Sequence, residues 1–234
     1  MKWTKRQAPL FDLECAGLPA LSPDADIQSG QSRRTQKGSI MKRFLESVNL
    51  LRTIVTEAEE NSDAARQLVS GLTEAQLNWK PALEKWSIAQ CLDHLTVTSS
   101  RFDTYFTAAV ARGRKRWPVS TGPSYRPSLM GGWLIKQVNP ETGRNLPAPK
   151  VFRPSDSSTI HGALESFLKQ QERFLKFVRE ADGVNYNKTK LRSPVTPLMR
   201  YSLADAFVIT VVHGQRHLAQ ARRVSEMAGF PHNS

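Results

Sequence analysis

The chain has 234 residues, 39% of them hydrophobic, which suffices for one domain with an extension. It carries a net charge of +12 and a pI near 10.0, but no stretch of about eighteen uninterrupted apolar residues, so a membrane-spanning helix is excluded and no membrane partner is expected. Two cysteines, Cys15 and Cys91, provide no disulfide framework and suit a reducing interior. The basic start at residues 1–6 is followed by Asp12 and Glu14 rather than an apolar signal core, so a cytoplasmic location is expected.

Residues 1–40 mix Pro9, Pro19, Pro23, Gly17, Gly30 and Gly38 with Ser and Gln, show no sustained periodicity, and read as a disordered extension. Helical patterning starts at Met41, a candidate translation start. Residues 41–230 form the expected domain and residues 231–234 a tail. A first helix is predicted over 41–70, with Phe44, Leu45, Val48, Leu51, Val55 and Leu68 on its apolar face and Gly71 as its stop. A turn or short helix follows at 73–77.

Ser87 with Gln90 three residues later is a capping-box pattern, with Trp86 just outside, and starts the second helix. Ile88, Cys91, Leu95, Phe102, Phe106 and Ala109 recur at helical spacing up to Gly113, and His94, Thr98 and Tyr105 flank that stripe. The dense basic run Arg112, Arg114, Lys115, Arg116 beside Trp117 invites a nucleic-acid reading. The other cations look dispersed and no DNA- or RNA-binding motif accompanies them, so nucleic acid is not an expected partner.

Residues 113–157 are rich in Pro and Gly, with room for one short helix over 129–138. A connection this long is usually functional or mobile, and it lets the chain cross between the ends of a bundle. The third helix is expected from Ser157 or Ser158, carrying Ile160, Leu164, Phe167, Leu168, Phe174, Leu175 and Val178, with Asp182-Gly183 closing it. Ser202 caps the fourth, where Asp205 adds a favourable charge. Its inner face is Leu203, Ala206, Phe207, Thr210, Gly214, Leu218 and Ala221, and it runs to about Ala228, with Gly229 as the stop. No strand pair with a hairpin signal competes, so the class is all-α, a four-helix bundle with a long crossover between helices 2 and 3.

Residues four apart share a helix face, so His213 and His217 present their rings side by side. Alone, an H-x-x-x-H pair is a moderate signal. Flanking Val211, Val212 and Leu218 argue against exposure, and a buried neutral imidazole needs partners for both nitrogens. His94, converging from the second helix, would complete a three-histidine site of the open zinc type, while nickel, iron or copper suit the same donors. An open divalent ion would generate a nucleophile from water or from a thiol.

Around it, Arg101 falls two turns beyond His94 and is a candidate holder of a substrate carboxylate or phosphate, against the plainer reading of a surface arginine. Tyr105 is a candidate donor or a packed core tyrosine. Gln220, one turn past His217, is a candidate orienting partner or a solvent-facing residue. Cys91 lies on the apolar stripe and reads as inert packing rather than a fourth ligand. His161 and His232 do not converge on the site. A Cys91–His94–Asp93 nucleophilic arrangement is disfavoured, because neighbouring helical residues point about a hundred degrees apart.

The segments W-S-I-A-Q-C-L-D-H-L (86–95) and L-A-D-A-F-V-I-T-V-V-H-G-Q-R-H-L-A-Q (203–220) resemble the second- and fourth-helix signatures of the DinB-like (DinB/YfiT) superfamily. K-V-F-R-P (150–154) is also similar to what members carry before the third helix. The resemblance covers about residues 41–230. It implies a bundle of up-down-down-up connectivity, often a homodimer, with a divalent metal, zinc or nickel first, held by His94, His213 and His217. It also implies a bacterial thiol-dependent transferase or a hydrolase acting on a small molecule, with a low-molecular-weight thiol as co-substrate in the first case. The competing expectation is a non-catalytic or stress-related module in which the metal, or only a histidine cluster, stabilises the bundle.

Overall fold

The computed structural model describes residues 39–143, 148–155, 159–196 and 198–231. The expected extension up to residue 38, Cys15, a third-helix start at Ser157 or Ser158, and His232 lie outside them. In chain order come α1 (Ser39–Leu45), α2 (Leu50–Val69), α3 (Glu74–Asn78), α4 (Ile88–Ser100), α5 (Asp103–Arg116) and α6 (Leu129–Val138). A 3₁₀ turn (Lys150–Phe152), α7 (Ala163–Glu180), β1 (Lys190–Arg192), β2 (Arg200–Ser202) and α8 (Leu203–Ser225) follow.

Several boundaries depart from the sequence expectation. The single first helix is broken between α1 and α2. Asn49 adopts an extended backbone and its Oδ1 accepts from the Arg52 amide at 3.1 Å, while Ser47 Oγ accepts from the Asn49 amide, so short polar side chains replace helical bonds. Val48, expected on the apolar face, is consequently fully exposed. The second helix also splits: the Phe102 amide bonds the Ser99 carbonyl three residues back at 2.9 Å, and the chain restarts at Asp103. The apolar repeat runs through this step, which is why periodicity alone missed it.

Gly162, at φ +59°, starts α7, and α8 ends at Ser225 rather than near Ala228. The expected absence of strands is corrected by an antiparallel pair, with Leu191 opposite Tyr201. These strands are three residues long and joined by residues 193–199 rather than a two-residue turn, so they carry no hairpin signature. Burial of Leu191 and Tyr201 holds them.

The mostly helical body is a ring in which α2 packs on α7 and α8, and α4 packs on the same two helices. Phe44, Ile54, Phe106, Phe174 and Phe207 fill its main core. Only one inner face was expected for α8, but its first half is buried almost all round, from Leu203 through Val212 with Thr210 half-buried. The crossover is the reason: α6 lies on α8 where Gly131 meets Asp205, so closely that a Cβ at Gly131 would fall 2.1 Å from the Asp205 Cγ.

Asp205, read from sequence as a favourable charge near the helix start, is fully buried. It closes the capping box with Ser202 and also accepts from the Tyr125 hydroxyl at 2.9 Å and the Ser128 hydroxyl at 2.7 Å. Thus the residue that starts α8 also ties the crossover to it. Among the described residues no helix is long and apolar enough to cross a membrane.

Candidate metal centre

The capping box at Ser87 and Gln90 sets the start of α4, and His94 follows two turns later on the side facing α8. His213 and His217 stand one turn apart on α8, with ring centroids 4.5 Å apart. His94 comes within 5.1 Å of His213 and 4.4 Å of His217 by the same measure. One ligand nitrogen from each of the three residues lies within 4.8 Å of the others. His94 and His217 are buried, and His213 is half-buried.

The outer nitrogens orient the inner ones. His94 Nδ1–H donates to the Phe152 carbonyl at 2.5 Å, and His217 Nδ1–H donates to Gln220 Oε1 at 2.9 Å. In a neutral ring, a proton on Nδ1 leaves Nε2 as a lone pair. The Nε2 atoms of His94 and His213 are 3.3 Å apart. Metal–imidazole bonds of about 2.0–2.1 Å in a tetrahedron place two ligand nitrogens about 3.3–3.4 Å apart. The donor set therefore fits a divalent ion in the neutrality of its rings, in the His94–His213 spacing and in the tautomers of His94 and His217.

Electrostatics point the same way. Burial drives the His94 pKa down to about 4, opposed in part by the Phe152 carbonyl and Asp93. Burial is also the largest cause holding His213 and His217 well below the usual imidazole value, with the neighbouring rings and Arg216 adding to it. Three rings held neutral at physiological pH are three available lone pairs.

Beside His213, between α4, α7 and α8, lies a cavity of about 30 Å³ lined by Leu95, Thr98, Phe102, Phe167, Gln171 and Thr210 among others. Of the sequence candidates, Gln220 is brought to the cluster. Arg101 is not: it is exposed at the break between α4 and α5. Tyr105 is half-buried against the main core and does not line the cavity. Cys91 is fully buried among Ile88, Ala221, Val224 and Phe230, and burial pushes its thiol up to about 12. His161 is exposed and pairs with Glu74 at 2.8 Å. Asp93 turns away, accepting from the Ser155 amide at 2.7 Å.

Sequence reasoning left two contributors without a role. Trp86 lays its ring over His94 at 4.7 Å and His217 at 5.7 Å between centroids, forming an aromatic wall on one side of the cluster. Its only signal was its place just before the cap. Phe152 supplies a carbonyl, which no side-chain pattern can announce. Gly214, between the two α8 histidines, admits α2: Asn61 donates to the Val211 carbonyl at 3.0 Å, and a Cβ at Gly214 would fall 2.6 Å from Asn61 Nδ2.

A helical body converging three neutral histidines from two helices defines a bundle protein with a candidate metal centre. The profile of the DinB superfamily matches residues 57–221, and the chain belongs to that superfamily. Among solved structures it is similar to YfiT from Bacillus subtilis, described as a probable metal-dependent hydrolase with an unusual four-helix bundle topology. The identity is 16%, the TM-score 0.47, and the match covers 77% of this chain and 90% of that one. No curated protein matches the chain.

Proposed function

We propose that the protein is a metal-dependent enzyme acting on a small molecule, with His94, His213 and His217 holding one divalent ion, zinc or nickel first, and with a thiol transfer or a hydrolysis as its reaction. The observation that carries this reading is the 3.3 Å approach of His94 Nε2 to His213 Nε2 while the far nitrogens of His94 and His217 are engaged by Phe152 and Gln220. A divalent ion with three protein ligands supplies Lewis acidity at a remaining coordination position. The chain does the rest. Phe152 and Gln220 hold two of the rings in the ligating tautomer, Trp86 shields one side from water, and Thr98, Thr210 and Gln171 offer polar groups in the cavity beside His213.

Metal analysis of the purified protein and of the His213→Ala variant tests this reading. About one ion per chain is expected for the native protein, with uptake lost in a variant whose helix content is unchanged. Equal metal content in both would sink the assignment. Turnover with low-molecular-weight thiols against hydrolysis of model esters and amides then separates the two reaction types.

One observation favours the second reading, a metal-stabilised module without turnover. A cavity of about 30 Å³ holds water but no substrate unless the helices part. Metal binding without turnover of either kind would select it.

A further inference from the structure

The charge of +12 is segregated. Residues 104–155 hold nine Lys and Arg against Glu141 alone, and residues 183–204 hold four against no carboxylate, leaving twenty cations and twenty carboxylates for the rest of the chain. The apparent dispersal of cations along the sequence is thus corrected by counting the carboxylates with them. The fold joins the two segments: α6 packs on β2 and α5 on β1. The Val119 amide bonds the Gly183 carbonyl at 3.0 Å, and Asn187 spans the Ser124 carbonyl and the Arg126 amide. Lys115, Arg126, Lys136, Lys190, Arg192 and Arg200 are exposed. Among the described residues, no ion pair involves a cation of either segment.

The same region exposes large apolar side chains. On α6, Leu129 is 97% and Trp133 52% exposed, with Met130 beside them; Leu198, in the loop between the strands, is 93% exposed. Leu129, Trp133 and Lys136 follow at helical spacing on the side away from Gly131 and Ile135, which are buried against α8. A helix with a leucine and an aromatic outward, Lys136 in its last turn and Arg126 in the loop just before it combines the apolar and cationic groups of a segment lying in a bilayer interface.

We propose that this basic, apolar face docks the protein on an anionic lipid bilayer, with Leu129, Met130 and Trp133 at headgroup depth and Arg126 and Lys136 on lipid phosphates and carboxylates. Charge decides the occupant. A second copy joined through this face by a two-fold axis would set cations against cations. A nucleic acid would satisfy the cations but leave Leu129 and Leu198 without apolar partners, whereas an anionic bilayer takes both groups. Hydropathy gave no reason to expect a membrane partner because it detects helices that span, and α6, at ten residues, lies on the surface instead.

Co-sedimentation of the full chain with phosphatidylcholine vesicles, with and without about 30% phosphatidylserine, tests the proposal. Binding is expected only with phosphatidylserine and should be lost at roughly 0.5 M salt, where charges are screened within a few ångströms. Lys136→Ala should weaken it roughly fivefold, the effect of about one surface cation. Leu129→Ser with Trp133→Ser should weaken it further; both side chains are exposed, and an unchanged circular dichroism spectrum would confirm folding. Three results would each overturn the proposal: no preference for phosphatidylserine vesicles, salt-sensitive binding to RNA or DNA without vesicle binding, or a dimer dissociated by the double serine variant.

Discussion

At the scale of single residues, the histidine cluster is set by its hydrogen-bond partners as much as by its rings. Gln220 Oε1 holds His217 in the tautomer that frees Nε2. Gln220→Ala should therefore lower metal affinity about 10–100-fold with little change in fold, measured by competition with a chromogenic chelator; unchanged affinity would remove Gln220 from the site. Acid sensitivity follows from the same rings. Below about pH 6.5 an unfolded histidine binds a proton that the folded cluster refuses, so the unfolded chain binds more protons and stability rises with pH in that window. Chelator-treated protein should be stable above it and lose stability as the pH falls toward the His94 value of about 4. Urea midpoints that agree at about pH 7 and about pH 5 would contradict this.

At the scale of elements, the capped starts at Ser87 and Ser202 were legible and the breaks were not. Ser87–Gln90 forms the capping box its sequence announces, and Ser202, expected as a cap, closes a second box with Asp205, which the sequence offered only as a favourable charge. The steps at Asn49 and Phe102 fall inside unbroken apolar repeats, where a local turn competes with the helix, and at the second step α7 packs on the restarted helix. Gln170 of α7, for example, donates to Asp103 at the restart of α5. The short helix at 129–138 was also visible, but its seat on α8 was not. Gly131→Ala tests that seat. The added Cβ meets a buried, fully engaged carboxylate that has no room to yield, so a loss of about 1–3 kcal/mol or more is expected in denaturant unfolding. The histidine cluster, two turns and more farther along α8, should keep its metal stoichiometry. Unaltered stability would show that α6 does not press on Asp205.

At the scale of the whole molecule, an ion on His94, His213 and His217 would join α4 to α8 and, through the Phe152 carbonyl, draw the crossover into the same unit. Ligation of the folded chain alone makes stability depend on free metal: an ion at about a thousand times its dissociation constant adds roughly 4 kcal/mol. Thermal unfolding should therefore shift upward with added zinc or nickel, and the shift should vanish in His213→Ala. An identical shift in that variant would place the stabilising ion elsewhere.

The sequence by itself determined the mostly helical class, the starts of α4 and α8 and the identity of the three histidines, because periodicity, caps and the spacing of four are properties of neighbouring residues. The tertiary structure alone decided that His94 meets the α8 pair, that Trp86, Phe152 and Gln220 surround them, and that Arg101 stays outside. Those outcomes depend on which helices adjoin and on where a backbone carbonyl lies after a long crossover. Ring formation by α2, α4, α7 and α8 is a matter of packing between residues far apart in the chain, and no local pattern encodes it.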